Sequence, residues 1–200
     1  MKADQNPEEV EKNNYWKGDF MKNKLLLGSL IAIILIVFLV SSVSAETKSN
    51  DDATVQTLSK GGLTINYPSN WGYSQATSNY SIMSISKLDS IDAAGIGQVN
   101  INFEKKPIEG EFNSFVNTTY KSMEYDSSFS LVSSGESVIG DRQALEYVYT
   151  SNNNGVEREH KAVWFEKGGQ AYVLLYSAPI DQFESNLYVF DYILSDIQIT

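Results

Sequence analysis

One histidine and no cysteine stand among the 200 residues. Those two counts limit the available chemistry before any pattern is read. Without cysteine there is no thiolate nucleophile, no disulfide, no iron–sulfur cluster, no thiolate zinc site and no lipid anchor on an N-terminal cysteine. A Ser-His-Asp arrangement would have to use His160, which stands in Glu157-Arg158-Glu159-His160-Lys161, a charged stretch that reads as a solvated strand segment. Gly-x-Ser-x-Gly, P-loop, Gly-x-Gly-x-x-Gly and His-Glu-x-x-His motifs do not occur. The sequence shows no nucleophile–base pair, so a non-enzymatic protein without a cofactor is expected. Two carboxylates in a cleft could still do glycoside chemistry, which keeps a carboxylate-based envelope hydrolase as the rival reading.

Weaker constellations carry less. Asp89 and Asp92 flank Ser90 in LDSIDAAGIG (88–97), a loop before a strand. Two carboxylates with nearby carbonyls can hold calcium loosely, but the Asp-x-Asp-x-Asp-Gly density of a dedicated site is absent, and a solvated acidic loop is the plainer reading. Asn79-Tyr80-Ser81 and Asn117-Thr118-Thr119 match the glycosylation sequon. Asn79, in a loop, is the better acceptor, because Asn117 falls on a helix. Aromatics are plentiful, with 12 Tyr, 9 Phe and 3 Trp. Tyr147, Tyr149, Trp164, Tyr172 and Tyr176 lie on expected strands, as core bodies with polar tips or as the lining of a groove for sugar or peptide.

Charge and hydropathy divide the chain. Residues 1–45 balance five Lys/Arg against five Asp/Glu, whereas residues 46–200 hold 10 against 20, so the whole net charge of -10 sits there. An acidic domain repels phosphate backbones, which argues against nucleic-acid binding and against adsorption to anionic lipid. Leu25–Val43 is uncharged, and its 19 residues as a helix span roughly 28 Å, close to a bilayer core. Either residues 25–45 are a signal peptide cut between Ala45 and Glu46, or residues 25–43 remain as a single anchor. In the anchor reading Lys17, Lys22 and Lys24 lie inside and Glu46, Asp51 and Asp52 outside. Both readings export residues 46–200. Met21 directly before Lys22 and Lys24 suggests a second start, in which case part of the polar segment 1–24 is not translated and a cleaved signal is favoured.

Residues 46–60 are polar and aperiodic and read as a linker, leaving 61–200 as the domain. Period-two alternation marks strands at 63–67, 81–88 and 98–103. Phe112, Phe115, Val116, Tyr120 and Met123 follow helical spacing within 111–125. Four strands follow at 130–139, 142–151, 158–167 and 171–178, separated by Gly140-Asp141, Asn152–Gly155 and Gly168-Gly169, turns short enough for an antiparallel meander. Pro179 is expected at the first position of a last helix with Phe183, Leu187, Phe190 and Leu194 inward, and Ile197–Ile199 as a closing strand. The sum is an α+β domain, an antiparallel sheet flanked by helices.

GGLTINYPSNWG (61–72) is similar to the opening of PsbP-like domains, a strand running into Tyr-Pro-x-x-Trp. AYVLLYSAPIDQFESNLYVFDYILSDIQI (171–199) resembles their close, an aromatic strand, a short Ala-Pro link and a helix. The likeness spans nearly the whole domain. It implies an α/β/α sandwich, Trp71 packed against the last helix, and an accessory or adaptor role for an exported or membrane-anchored member. The best-known members help hold metal and chloride cofactors in the oxygen-evolving complex of photosystem II; no cofactor-contact residue carries over to any position here. The expected partners are the membrane, through residues 25–43, and an unidentified protein or small ligand.

Overall fold

The computed structural model describes residues 54–74, 80–153 and 155–200. The segments 1–24 and 25–45, the junction Ala45-Glu46 and the acceptor Asn79 lie outside the described residues. Among the described residues no helix is long and apolar enough to cross a membrane.

Among the described residues, ten strands and two α-helices build the domain. Strands β1 (Val55–Lys60), β2 (Leu63–Pro68) and β10 (Gln198–Ile199) form a three-stranded sheet in the order β1-β2-β10. Strands β3 (Trp71–Ser74), β4 (Ser81–Lys87), β5 (Asn100–Pro107), β6 (Phe129–Ile139), β7 (Arg142–Asn153), β8 (Val156–Lys167) and β9 (Gln170–Pro179) form a seven-stranded sheet, ordered β3-β4-β5-β9-β8-β7-β6. Every pairing is antiparallel. Helix α1 (Phe112–Met123) follows β5 and α2 (Phe183–Asp196) follows β9.

The core divides by the faces of the large sheet. On one face α2 and the small sheet bury Leu63, Ile65 and Trp71 with Val163, Phe165, Leu174, Tyr176, Phe190 and Ile193. On the other, Val116 and Tyr120 of α1 bury Tyr147, Tyr149, Ala162, Trp164 and Val173. Successive strand residues point to opposite faces, so Val163 and Trp164, neighbours in sequence, serve different cores. Trp71 is almost fully buried in the cluster that α2 seals. The layers are helix, sheet, then helix with the small sheet: the α+β sandwich expected.

Three local expectations need correction. Residues 55–60 are not linker: they pair with β2 from Val55↔Pro68 to Lys60↔Leu63. Apart from the half-buried Leu58, their side chains are exposed, so backbone pairing holds the strand and no apolar alternation announces it. Pro179 does not start the last helix. It closes β9, its carbonyl accepts the Gln182 N–H at 2.9 Å, and α2 begins at Phe183. The inward stripe of α2 is Phe183, Asn186, Val189, Phe190 and Ile193, with Leu187 and Leu194 at its margins. The two-glycine turn does form: Gly168 and Gly169 take φ of 58° and 68°, the left-handed region that such a hairpin requires.

Candidate functional site

The α1 face of the large sheet carries a row of directly opposed residues, Tyr149, His160, Ser177, Asn100, Ser86 and Gly72, across β7, β8, β9, β5, β4 and β3. A second row runs Tyr147, Ala162, Leu175, Asn102, Ser84 and Ser74. Both rows pass from aromatic under α1 to small and polar toward β3. Ser74, Ser84, Ser86, Asn100, Asn102 and Ser177 are all buried.

His160 sits where aromatic gives way to polar. The ring stacks on Tyr149, centroids 4.6 Å apart. Its Nε2 lies 2.8 Å from Ser151 Oγ and its Nδ1 2.7 Å from Ser177 Oγ. This corrects two expectations: His160 is half-buried and fully engaged rather than a solvated strand residue, and a serine–histidine contact does exist. A neutral imidazole has one N–H and one bare nitrogen, so one hydroxyl accepts from the ring while the other donates to it. Burial, helped by the nearby Arg158 charge, lowers the His160 pKa to about 3. A catalytic triad needs the opposite environment, with a carboxylate on Nδ1 to stabilise the imidazolium. Here Nδ1 meets a hydroxyl and the nearby charge is a cation.

The loop ahead of β5 closes over the polar half. Asp92 Oδ1 accepts the Ala94 and Ile96 N–H groups, both at 2.9 Å, and Oδ2 accepts from Gln98 Nε2 at 2.8 Å. Gln98 in turn accepts from Arg158 through its side-chain oxygen, at 3.1 Å, and through its carbonyl. Asn102 Nδ2 donates to Asn100 Oδ1, and Asn100 Nδ2 donates to the Gly97 carbonyl. Both acids of this loop are therefore in use. Asp92 folds its own turn and Asp89 pairs with Lys87 at 3.2 Å. Among the described residues no group of three or more acidic or histidine side chains is placed to hold a metal.

The remaining sequence candidates disperse. Asn117 is exposed on α1, and its side-chain oxygen accepts the Tyr147 hydroxyl. Thr119, the third sequon residue, is turned inward and its hydroxyl donates to the Phe115 carbonyl at 3.0 Å. Tyr147, Tyr149, Trp164, Tyr172 and Tyr176 are buried and split between the two cores. Burial raises the Tyr120 and Tyr149 hydroxyls well above their ordinary pKa. Ser151, Ser177 and the Arg158–Gln98 link carry no motif. The signal available in the sequence is parity, since Ser151 follows Tyr147 and Tyr149 at steps of two on β7.

No family model matches this chain, and no curated protein matches it in sequence. Solved structures do match. The cyanobacterial PsbP (CyanoP) of Synechocystis sp. PCC 6803 superposes with a TM-score of 0.56 at 16% identity, covering 78% of this chain and 98% of that one. LpqN of Mycobacterium tuberculosis, described as involved in cell envelope biogenesis, gives 0.55 at 15% identity, covering 74% and 91%. At such identities the likeness is one of fold, and the fold is PsbP-like.

Proposed function

We propose that this PsbP-like domain is a non-enzymatic accessory module of the cell envelope that binds a partner protein. It is held outside the membrane by residues 25–43 or released after cleavage between Ala45 and Glu46. The observation that carries the non-enzymatic reading is the environment of His160. The one histidine in the chain is tied between two serine hydroxyls and kept neutral by burial. Such a ring locks three strands together and is a weak base. The envelope placement rests on the apolar run at 25–43, on the acidic excess of residues 46–200 and, by analogy of fold, on LpqN.

Two measurements test the reading. A fluorophosphonate probe should leave Ser151 unlabelled; a His160-dependent adduct on Ser151 would overturn the non-enzymatic assignment. Crosslinking in intact membranes followed by quantitative mass spectrometry should recover one protein at fixed stoichiometry with this chain. Recovery of this chain alone, with a small molecule retained in native mass spectrometry, would favour a ligand binder instead.

A further inference from the structure

The β6 segment FSLVSSGESVI (129–139) carries one charge, Glu136, and neither proline nor lysine. It is the last strand of the large sheet. It pairs with β7 and, among the described residues, with nothing on its other side. In an antiparallel edge strand alternate residues turn both N–H and C=O away from the sheet, which makes a template for another strand. The remaining sheet edges are blunter. β3 has four residues, β10 has two, and β1 has six and ends in Lys60. β6 has eleven, and all but Phe129, Ser137 and Ile139 are exposed.

Register narrows the site. The β6–β7 pairing slips between Leu131 and Ser133, so Val132 is the extra residue and the regular run is Ser133–Ile139. That run is as long as a strand of common size. On the α1 face Ser134, Glu136 and Val138 stand opposite Tyr147, Leu145 and Gln143. On the α2 face stand Ser133, Gly135 and Ser137. A Cβ added at Gly135 meets nothing within 4 Å, so that flank is open. Glu136 is exposed and has no ion-pair partner among the described residues.

We propose that β6 takes up an extended segment of a partner protein as an added strand, with a Lys or Arg of that segment opposite Glu136 and an apolar residue beside Val138. The proposal rests on the partner-protein reading above and names its docking edge. Main-chain bonds along Ser133–Ile139 supply the affinity, and the cross-strand pair at Glu136 supplies the preference. Charge complementarity selects the occupant. Residues 46–200 hold 20 acidic against 10 basic side chains, so a cationic segment is attracted. A second copy of this chain is disfavoured. Glu136 is the midpoint of the regular run, so two copies paired antiparallel along it set Glu136 directly against Glu136.

The test uses the full-length protein in a nonionic detergent and a labelled peptide, acetyl-Thr-Val-Thr-Lys-Thr-Val-Thr-amide, which reads the same in both directions. Fluorescence anisotropy should show saturable binding at one site, and hydrogen exchange should slow at alternate amides of Ser133–Ile139. N-methylation of one alternate set of peptide residues should abolish binding, and of the other set should leave it. Glu136→Lys should weaken binding at least threefold and favour the peptide with Glu in place of Lys. Its thermal melt should be unchanged, because the side chain is exposed. No saturable binding, unchanged exchange in β6, equal loss from both N-methylated sets, or an unaltered peptide preference in Glu136→Lys would each overturn the proposal. So would a dimer of the full-length protein whose β6 amides are already protected, which would make a second copy the occupant. A crosslinked partner protein that leaves β6 exchange unchanged would overturn this edge and leave the proposed function standing.

Discussion

The indole N–H of Trp164 on β8 donates to the hydroxyl of Tyr120 on α1 at 2.9 Å, with both side chains buried. Tyr120 also lies flat on Tyr147, ring centroids 3.7 Å apart at an interplanar angle of 4°, and edge-on to Trp164. One tyrosine thus supplies a polar and an apolar bond between helix and sheet. Tyr120→Phe keeps the rings and removes the acceptor, leaving a buried N–H unsatisfied, and should destabilise by about 1–3 kcal/mol in urea unfolding. Adding Trp164→Phe should recover part of that loss; strict additivity of the two changes would show that the bond contributes nothing.

The histidine predicts the shape of the acid limb. Its folded-state pKa, about 3, lies below the ordinary value of about 6.5, so between those values the unfolded chain binds more protons. Stability from neutral His160 is complete above about pH 6.5 and is lost as the pH falls toward 3. The Glu159 carboxyl, raised by burial, contributes the opposite slope, so the His160 share is read by comparison with a variant. His160→Gln should flatten the urea midpoint across that window, and equal slopes for the two proteins would count against the buried neutral ring.

Gly97 lies against Ser86. A Cβ at Gly97 would collide with the Ser86 Cβ and Oγ. Gly97→Ala should therefore destabilise by about 1–3 kcal/mol through overpacking. Ser86→Gly in the same chain should relieve most of it, a rescue that thermal melts of the single and double variants would reveal. If the double variant melts no higher than Gly97→Ala alone, the contact is not the cause.

Asp92 holds the loop that carries Gln98 to Arg158. Asp92→Ala removes acceptors for two backbone N–H groups and one amide, a change that should cost about 1–2 kcal/mol. It should also speed amide exchange at Ala94 and Ile96 by at least tenfold while leaving the amides of β7 and β8 protected. Uniform acceleration across the sheet would mean that the loop is not an independent unit.

Much of this fold was legible because its signals are local. Leu63-Thr64-Ile65-Asn66-Tyr67 alternates inward and outward as its pattern predicts, and the turns at 140–141 and 168–169 are where glycine announced them. Phe112–Met123 is helical with Val116 and Tyr120 inward. What escaped has weak side-chain signatures. Strand β1 is held by backbone pairing, and strand β3 is only four residues long. His160 reads as solvated because its sequence neighbours are charged, yet Arg158 on its own face turns to Gln98, and Glu157 and Glu159 alternate to the other face.

The sequence by itself determined the chemical inventory: a single imidazole, no thiol, an acidic excess after residue 45, and the periodicities that build strands and helices. These are properties of residues or of neighbours within a few positions, so no fold is needed to read them. Only the tertiary structure decided which residues meet. Ser151 and Ser177 reach His160 across two strand pairings. Asn100 joins that row only because β5 pairs with β9. The physical reason is register. A slip of one residue between paired strands would turn every one of these side chains to the opposite face, and register is set by packing between segments far apart in the chain.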